Sequence, residues 1–103
     1  MAKIITNEVI EESLKLIDSK TLFKKEKIKY EIQDDYNFLM FSISVDEFSQ
    51  VDLKLSFKYV AQMLNSSIPK RKGEYSWMVN FTNGGLVVDS YFGGDLDCPN
   101  AGL

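Results

Sequence analysis

The segment 75–92, YSWMVNFTNGGLVVDSYF, constrains the fold more than any other stretch of the chain. Two runs rich in β-branched and aromatic residues flank Asn-Gly-Gly, the strongest short-range signal for a β-hairpin. With Asn83 and Gly84 as a two-residue turn, Phe81 stands opposite Leu86, Val79 opposite Val88, Trp77 opposite Ser90 and Tyr75 opposite Phe92. With Gly84 and Gly85 as the turn, the register slips by two, and the same odd and even positions share one apolar face. A face of that size demands a covering layer.

A second hairpin is expected upstream. Ile28, Tyr30 and Ile32 alternate with Lys27, Lys29, Glu31 and Gln33, which is the period of a half-buried strand. Asp34, Asp35, Tyr36 and Asn37 supply turn chemistry, and FLMFSISV (38–45) follows as a strand apolar enough to sit centrally in the sheet. The covering layer is a helix over about 7–19. Thr6 or Asn7 can cap it, Glu8, Glu11 and Glu12 load its positive end, and Ile10, Leu14 and Ile17 share one face.

Two periods compete in VDLKLSFKYVAQML (51–64). Val51, Leu53, Leu55, Phe57 and Tyr59 alternate as in a strand, while Leu53, Phe57, Val60, Ala61 and Leu64 fit a helical face. Five consecutive odd apolar positions favour a strand over 51–59, followed by a helical turn to 64. Asn65, Ser66, Ser67, Pro69 and Gly73 mark a loop. The expected fold is therefore α+β: an N-terminal helix packed on an antiparallel sheet of about four to five strands, near 22–33, 38–45, 51–59, 75–82 and 86–92. At 103 residues the chain fits a single domain, 1–103, with 93–103 as an extended C-terminal tail.

Residue types exclude much chemistry. The chain has no histidine, so Ser-His-Asp triads, Cys-His pairs and imidazole acid–base catalysis are all ruled out. Its one cysteine, Cys98, cannot form an intramolecular disulfide and has no histidine to activate it. The carboxylate pairs Asp34–Asp35, Asp46–Glu47 and Asp95–Asp97 fall at turns or in the tail, where solvent keeps both partners ionised. Asp95-Leu96-Asp97 opens like a calcium loop but lacks its later ligands, and no phosphate-cradling glycine motif is present. These absences lead to the expectation of a protein that is not an enzyme and needs no cofactor or metal. No apolar run is long enough to span a membrane, and MAKIITNEVIEES turns acidic where a secretory signal stays apolar, so a cytoplasmic location is expected.

Charge is arranged in blocks. Residues 20–29 carry five lysines and one glutamate, 30–53 six acids and no base, 54–72 five bases and no acid, and 73–103 four acids and no base. A bipolar surface of this kind suits a charged protein partner, which acidic turns would steer into contact. Pro69-Lys70-Arg71-Lys72-Gly73, with Tyr75, Trp77 and Lys58, is the one place where nucleic acid could bind, against an overall charge of −3.

The short helix-first layout and the hairpin SWMVNFTNGGLVVDSYFGGD (76–95) resemble bacterial immunity proteins, the antidotes of contact-dependent growth inhibition and related polymorphic toxin systems. The resemblance implies a cognate inhibitor that neutralises a toxin domain, often a nuclease, by blocking its active site or substrate surface. It assigns no residue. The partner-binding residues expected from the charge pattern are Asp34, Asp35, Asp46, Glu47, Asp95 and Asp97, with Tyr36 and Phe48 as aromatic anchors. The alternative function is a small nucleic-acid-binding regulator using the basic loop 70–72.

Overall fold

Thr6 opens the first helix, α1 (Asn7–Lys20), by accepting the Val9 amide on its side chain at 3.3 Å. Ile10, Ser13 and Ile17 form its buried stripe, and Lys20 lies in the last turn, where the helix dipole favours a cation. The computed structural model describes residues 5–33, 37–45 and 50–95, and of 50–54 the backbone alone. After α1 the chain runs through a 3₁₀ turn, Lys25–Lys27, into β1 (Ile28–Gln33) and β2 (Phe38–Ser44). It then forms α2 (Gln50–Ser67), β3 (Tyr75–Asn83) and β4 (Leu86–Gly94).

The α+β class holds, with an N-terminal helix, a second helix and four strands in the order β1-β2-β3-β4. β1 pairs antiparallel with β2, and β3 with β4, as the two hairpins require. The sheet is not the antiparallel one expected: the central ladder, β2 to β3, is parallel, which makes the sheet mixed. FLMFSISV does supply an interior strand.

Three further expectations are corrected. First, the strand expected over 51–59 is helix throughout. Phe57, Val60, Ala61, Leu64 and Ile68 are buried at helical spacing, while Leu55 and Tyr59, inward in the strand pattern, are about half exposed. Parallel strands need a long crossover, and a helix is the usual way to cover the sheet while making it. Second, the strand expected over 22–33 begins only at Ile28. Its first half is held by local bonds at the end of α1: the Phe23 amide donates to the Thr21 hydroxyl, the Lys25 amide to Asp18 Oδ1, and the Lys27 amide to the Lys24 carbonyl.

The third correction concerns the 75–92 hairpin. Its turn is Gly84–Gly85, both in the left-handed region at φ 60° and 86°, as a type I′ turn needs. Thr82 pairs with Val87 but Phe81 pairs with Asp89, so Val88 is an extra residue and the parity of β4 changes there. Odd positions of β3 therefore share their face with odd positions of β4. Tyr91 is buried beneath the helices, and Leu86 and Val88, expected on that face, are exposed. The shift also brings Gly93 opposite Trp77, where a Cβ would lie 2.2 Å from the indole ring. Ser90, which the simple register put there, carries that Cβ.

Both helices cover the face made by Leu39, Phe41 and Ile43 of β2, Trp77, Val79 and Phe81 of β3, and Tyr91 of β4. Phe57 of α2 stacks on Phe81 with centroids 4.0 Å apart, and Phe23 closes against both rings. Two polar contacts fix the helical layer. Ser13 of α1 and Ser67 of α2 share a hydrogen bond of 2.9 Å, and Asn65 Oδ1 accepts from both Trp77 Nε1 and the Gly94 amide. No helix among the described residues is long and apolar enough to cross a membrane.

Candidate protein-binding surfaces

Of the residues expected from sequence to bind a partner, Asp34, Asp35, Tyr36, Asp46, Glu47, Phe48 and Asp97 lie outside the described residues. Asp95 is described and exposed, directly after β4. Its Oδ2 accepts the Gly73 amide at 2.5 Å, and its own amide donates to the Glu74 carbonyl at 3.2 Å. Asp95, the one described residue of that acidic set, is thus bonded to the basic loop.

The basic loop is a built turn. Arg71 and Glu74 bridge across Lys72 and Gly73, with Gly73 at φ 72°, a conformation that favours glycine. Arg71 Nη2 donates to the Tyr75 carbonyl, Nη1 lies 3.6 Å from a Glu74 carboxylate oxygen, and the Arg71 amide donates to the buried Ser76 hydroxyl. Its guanidinium is therefore engaged within its own loop. Lys70 and Lys72 remain exposed beside Glu74 and Asp95, so the field at this end of the sheet is mixed in sign. Trp77 is fully buried in the core and offers no stacking surface to a base.

A different charged surface stands out on α1. Glu8, Glu11, Glu12, Lys15 and Asp18 recur at helical spacing on the side opposite Ile10, Ser13 and Ile17, and they line an open groove of about 490 Å³ with Leu14 and Lys25. Four carboxylates face two lysines there. Glu8, Glu11 and Glu12 are exposed, and among the described residues none of the four carboxylates makes an ion pair. Glu8 and Glu12 are one turn apart, a like-charge spacing that costs an isolated helix a few tenths of a kcal/mol, about 0.2–0.5. On the adjacent helix, Leu55 and Tyr59, also one turn apart, are 51% and 56% exposed. The helical layer therefore presents an acidic stripe and, on its neighbour, an aliphatic–aromatic pair.

The spacing of these acids was visible in the sequence, but there it served only to load the positive end of the helix. Tyr59 was hidden by the strand pattern, which turned it inward. Elsewhere, the one strongly perturbed group among the described residues is structural. Burial, then the hydrogen bond to Asp89 Oδ2 and its negative charge, push the Tyr91 hydroxyl above the usual tyrosine range. Among the described residues no group of His, Cys, Asp and Glu could hold a metal ion. The chain matches no family model, no curated protein and no solved structure, and any function has to be read from its own surfaces.

Proposed function

We propose that this chain is a binding protein of the immunity type, which neutralises a basic toxin domain, such as a nuclease, by docking on it in the cytoplasm. The observation that carries this reading is the acidic stripe of α1 (Glu8, Glu11, Glu12 and Asp18), without an ion pair among the described residues, in a helical layer whose second helix exposes Leu55 and Tyr59. Interfaces combine an aromatic or aliphatic anchor with a charged rim, and the rim governs encounter more than residence. A nuclease presents lysines and arginines where it holds phosphates, so an acidic inhibitor can occupy the ground that its substrate would take.

The test is binding to the toxin-like product of a neighbouring gene, followed by stopped-flow association across a salt series. Glu8→Lys/Glu11→Lys/Glu12→Lys is expected to slow association about tenfold or more at low salt and to flatten its salt dependence, with little change in dissociation. Tyr59→Ala is expected to act on dissociation instead. If the triple charge reversal leaves the association rate and its salt dependence unchanged, or if no neighbouring product binds, the reading is lost.

A further inference from the structure

Among the described asparagines, Asn83 alone is followed by glycine. It ends β3, pairs with Leu86 across the turn, and its Nδ2 donates to the Val45 carbonyl at 2.9 Å. Gly84 is exposed, its amide has no hydrogen-bond partner among the described residues, and a Cβ there would meet nothing within 4 Å. An open, unshielded amide nitrogen one residue after an asparagine is held by the chain itself within reach of that side chain's carbonyl carbon. The other asparagines placed within helix or strand differ. Asn65 is followed by Ser66 inside α2 and accepts two hydrogen bonds on Oδ1. Asn80 is followed by Phe81 within the β3 ladders, and its Oδ1 accepts the Ser90 hydroxyl at 2.6 Å.

We infer that Asn83–Gly84 is a self-modification site, which deamidates when the hairpin end opens and so releases the end of β2. The Gly84 amide nitrogen, on losing its proton, attacks Asn83 Cγ. The bond from Cγ to Nδ2 breaks, and Nδ2 leaves as ammonia with the proton that the amide gave up. The five-membered succinimide then takes up one water. Addition at Cγ gives aspartate, and addition at the backbone carbonyl carbon gives isoaspartate, in which the chain continues through Cγ. Water is the one co-reactant.

The folded state guards the reaction twice. The bond to Val45 holds the leaving nitrogen, and the pairing with Leu86 keeps Asn83 in the ladder, so the Gly84 nitrogen cannot swing onto Cγ. Reaction therefore waits on local opening, which at a hairpin end takes less than the global stability. Neither product can restore the tether. A carboxylate has no donor for the Val45 carbonyl, and Val45 is buried, so that acceptor loses its partner. The Val45 amide donates to the Thr82 carbonyl at 2.7 Å, so the same few residues hold the end of the β2–β3 seam. Deamidation loosens that seam irreversibly, in proportion to the time it has spent open. No residue of α1 or α2 takes part, so the reaction is independent of the proposed function.

The full chain is held for several weeks at mildly alkaline pH, folded and in denaturing urea, and the peptide spanning the turn is mapped by mass spectrometry and by labelling with an isoaspartate methyltransferase. Asn83 should gain about 1 Da and yield isoaspartate, ahead of Asn65 and Asn80, and should do so about tenfold faster or more in urea. Asn83→Asp should speed amide exchange at Val45 about tenfold or more while Trp77 emission stays native. Asn83→Ala, which lacks the same donor and adds no charge, carries that measurement if Asn83→Asp does not fold. An Asn83 that stays unmodified in the folded chain overturns the inference. So does one modified no faster than Asn65, or at the same rate folded and in urea. Exchange at Val45 that is indifferent to both substitutions overturns it equally.

Discussion

Gly93→Ala adds one methyl group and should be among the most damaging small changes this chain can suffer. The added Cβ would lie 2.2 Å from Cζ2, 2.4 Å from Cε2 and 2.6 Å from Nε1 of Trp77. Trp77 has no room to yield, because its ring is fully buried and its Nε1 donates to Asn65 at 3.3 Å. Relief requires either that β4 move off β3 or that the indole shift and give up Asn65. Overpacking of this kind costs about 1–3 kcal/mol, and leaving a buried donor unpaired costs about 1–3 kcal/mol more. The sum, about 2–6 kcal/mol, is a large share of the roughly 5–15 kcal/mol that holds a domain together. At about 4–8 °C per kcal/mol for a chain of this size, the midpoint should fall by about 10–50 °C. Urea unfolding followed by emission from the single tryptophan and by far-ultraviolet circular dichroism measures both the loss and its origin. A double-mutant cycle with Trp77→Phe should return a coupling of about 1–3 kcal/mol, because the smaller ring makes room for the methyl group. Gly84→Ala is the comparison: it meets nothing within 4 Å and bears only the cost of φ +60°, about 1–2 kcal/mol. If Gly93→Ala unfolds within about 0.5 kcal/mol of the parent with native emission, the packing of β4 beneath the indole is wrong.

Two further outcomes follow from the buried polar contacts. Tyr91 has its pKa raised in the folded state, so its contribution to stability is complete below the unfolded value of about 10 and is lost as pH rises from there through the folded value. The parent should therefore lose stability above about pH 10 relative to Tyr91→Phe; equal alkaline slopes in urea titrations would remove Tyr91 as the cause. Asn65→Ala orphans both the Trp77 indole and the Gly94 amide, and should cost about 2–4 kcal/mol with a red shift in emission. A loss below about 1 kcal/mol would show that neither bond holds α2 to the hairpin.

Where one period dominated, the sequence was legible. Thr6, Ile10 and Ile17 gave α1 to within a residue of its end, and the alternation around Asp34 and Asn83 gave both hairpins. It was not legible where two periods overlapped. In 51–64 the odd apolar positions include Leu55 and Tyr59, which are exposed, and nothing local says that β2 and β3 run parallel and so need a crossover helix. The Val88 irregularity was hidden for a related reason. Val87 and Val88 fit a strand in either phase, and what selects the phase is the fit of Gly93 under Trp77, a contact between different strands. The surface was less legible than the fold. Charge blocks located acids along the chain but not in space, whereas the helical spacing of Glu8, Glu11, Glu12 and Asp18 places them in one groove.

The parallel ladder between β2 and β3 also determines how the chain reaches its fold. Gly84–Gly85 closes one hairpin across two residues, whereas Leu39 meets Trp77 only after the whole intervening stretch has been drawn in. The added loop entropy is about 2–3 kcal/mol over a two-residue turn, lost before any ladder bond compensates it. Hairpins and helices can assemble early and independently, leaving the docking of β2 on β3 as the non-local step that sets the rate. Until then two strands built for the interior, FLMFSIS and YSWMVNFTN, present open edges to water. The fold is therefore most exposed to aggregation before its central seam closes, and winding α2 early shortens that interval by bringing the seam's two ends together.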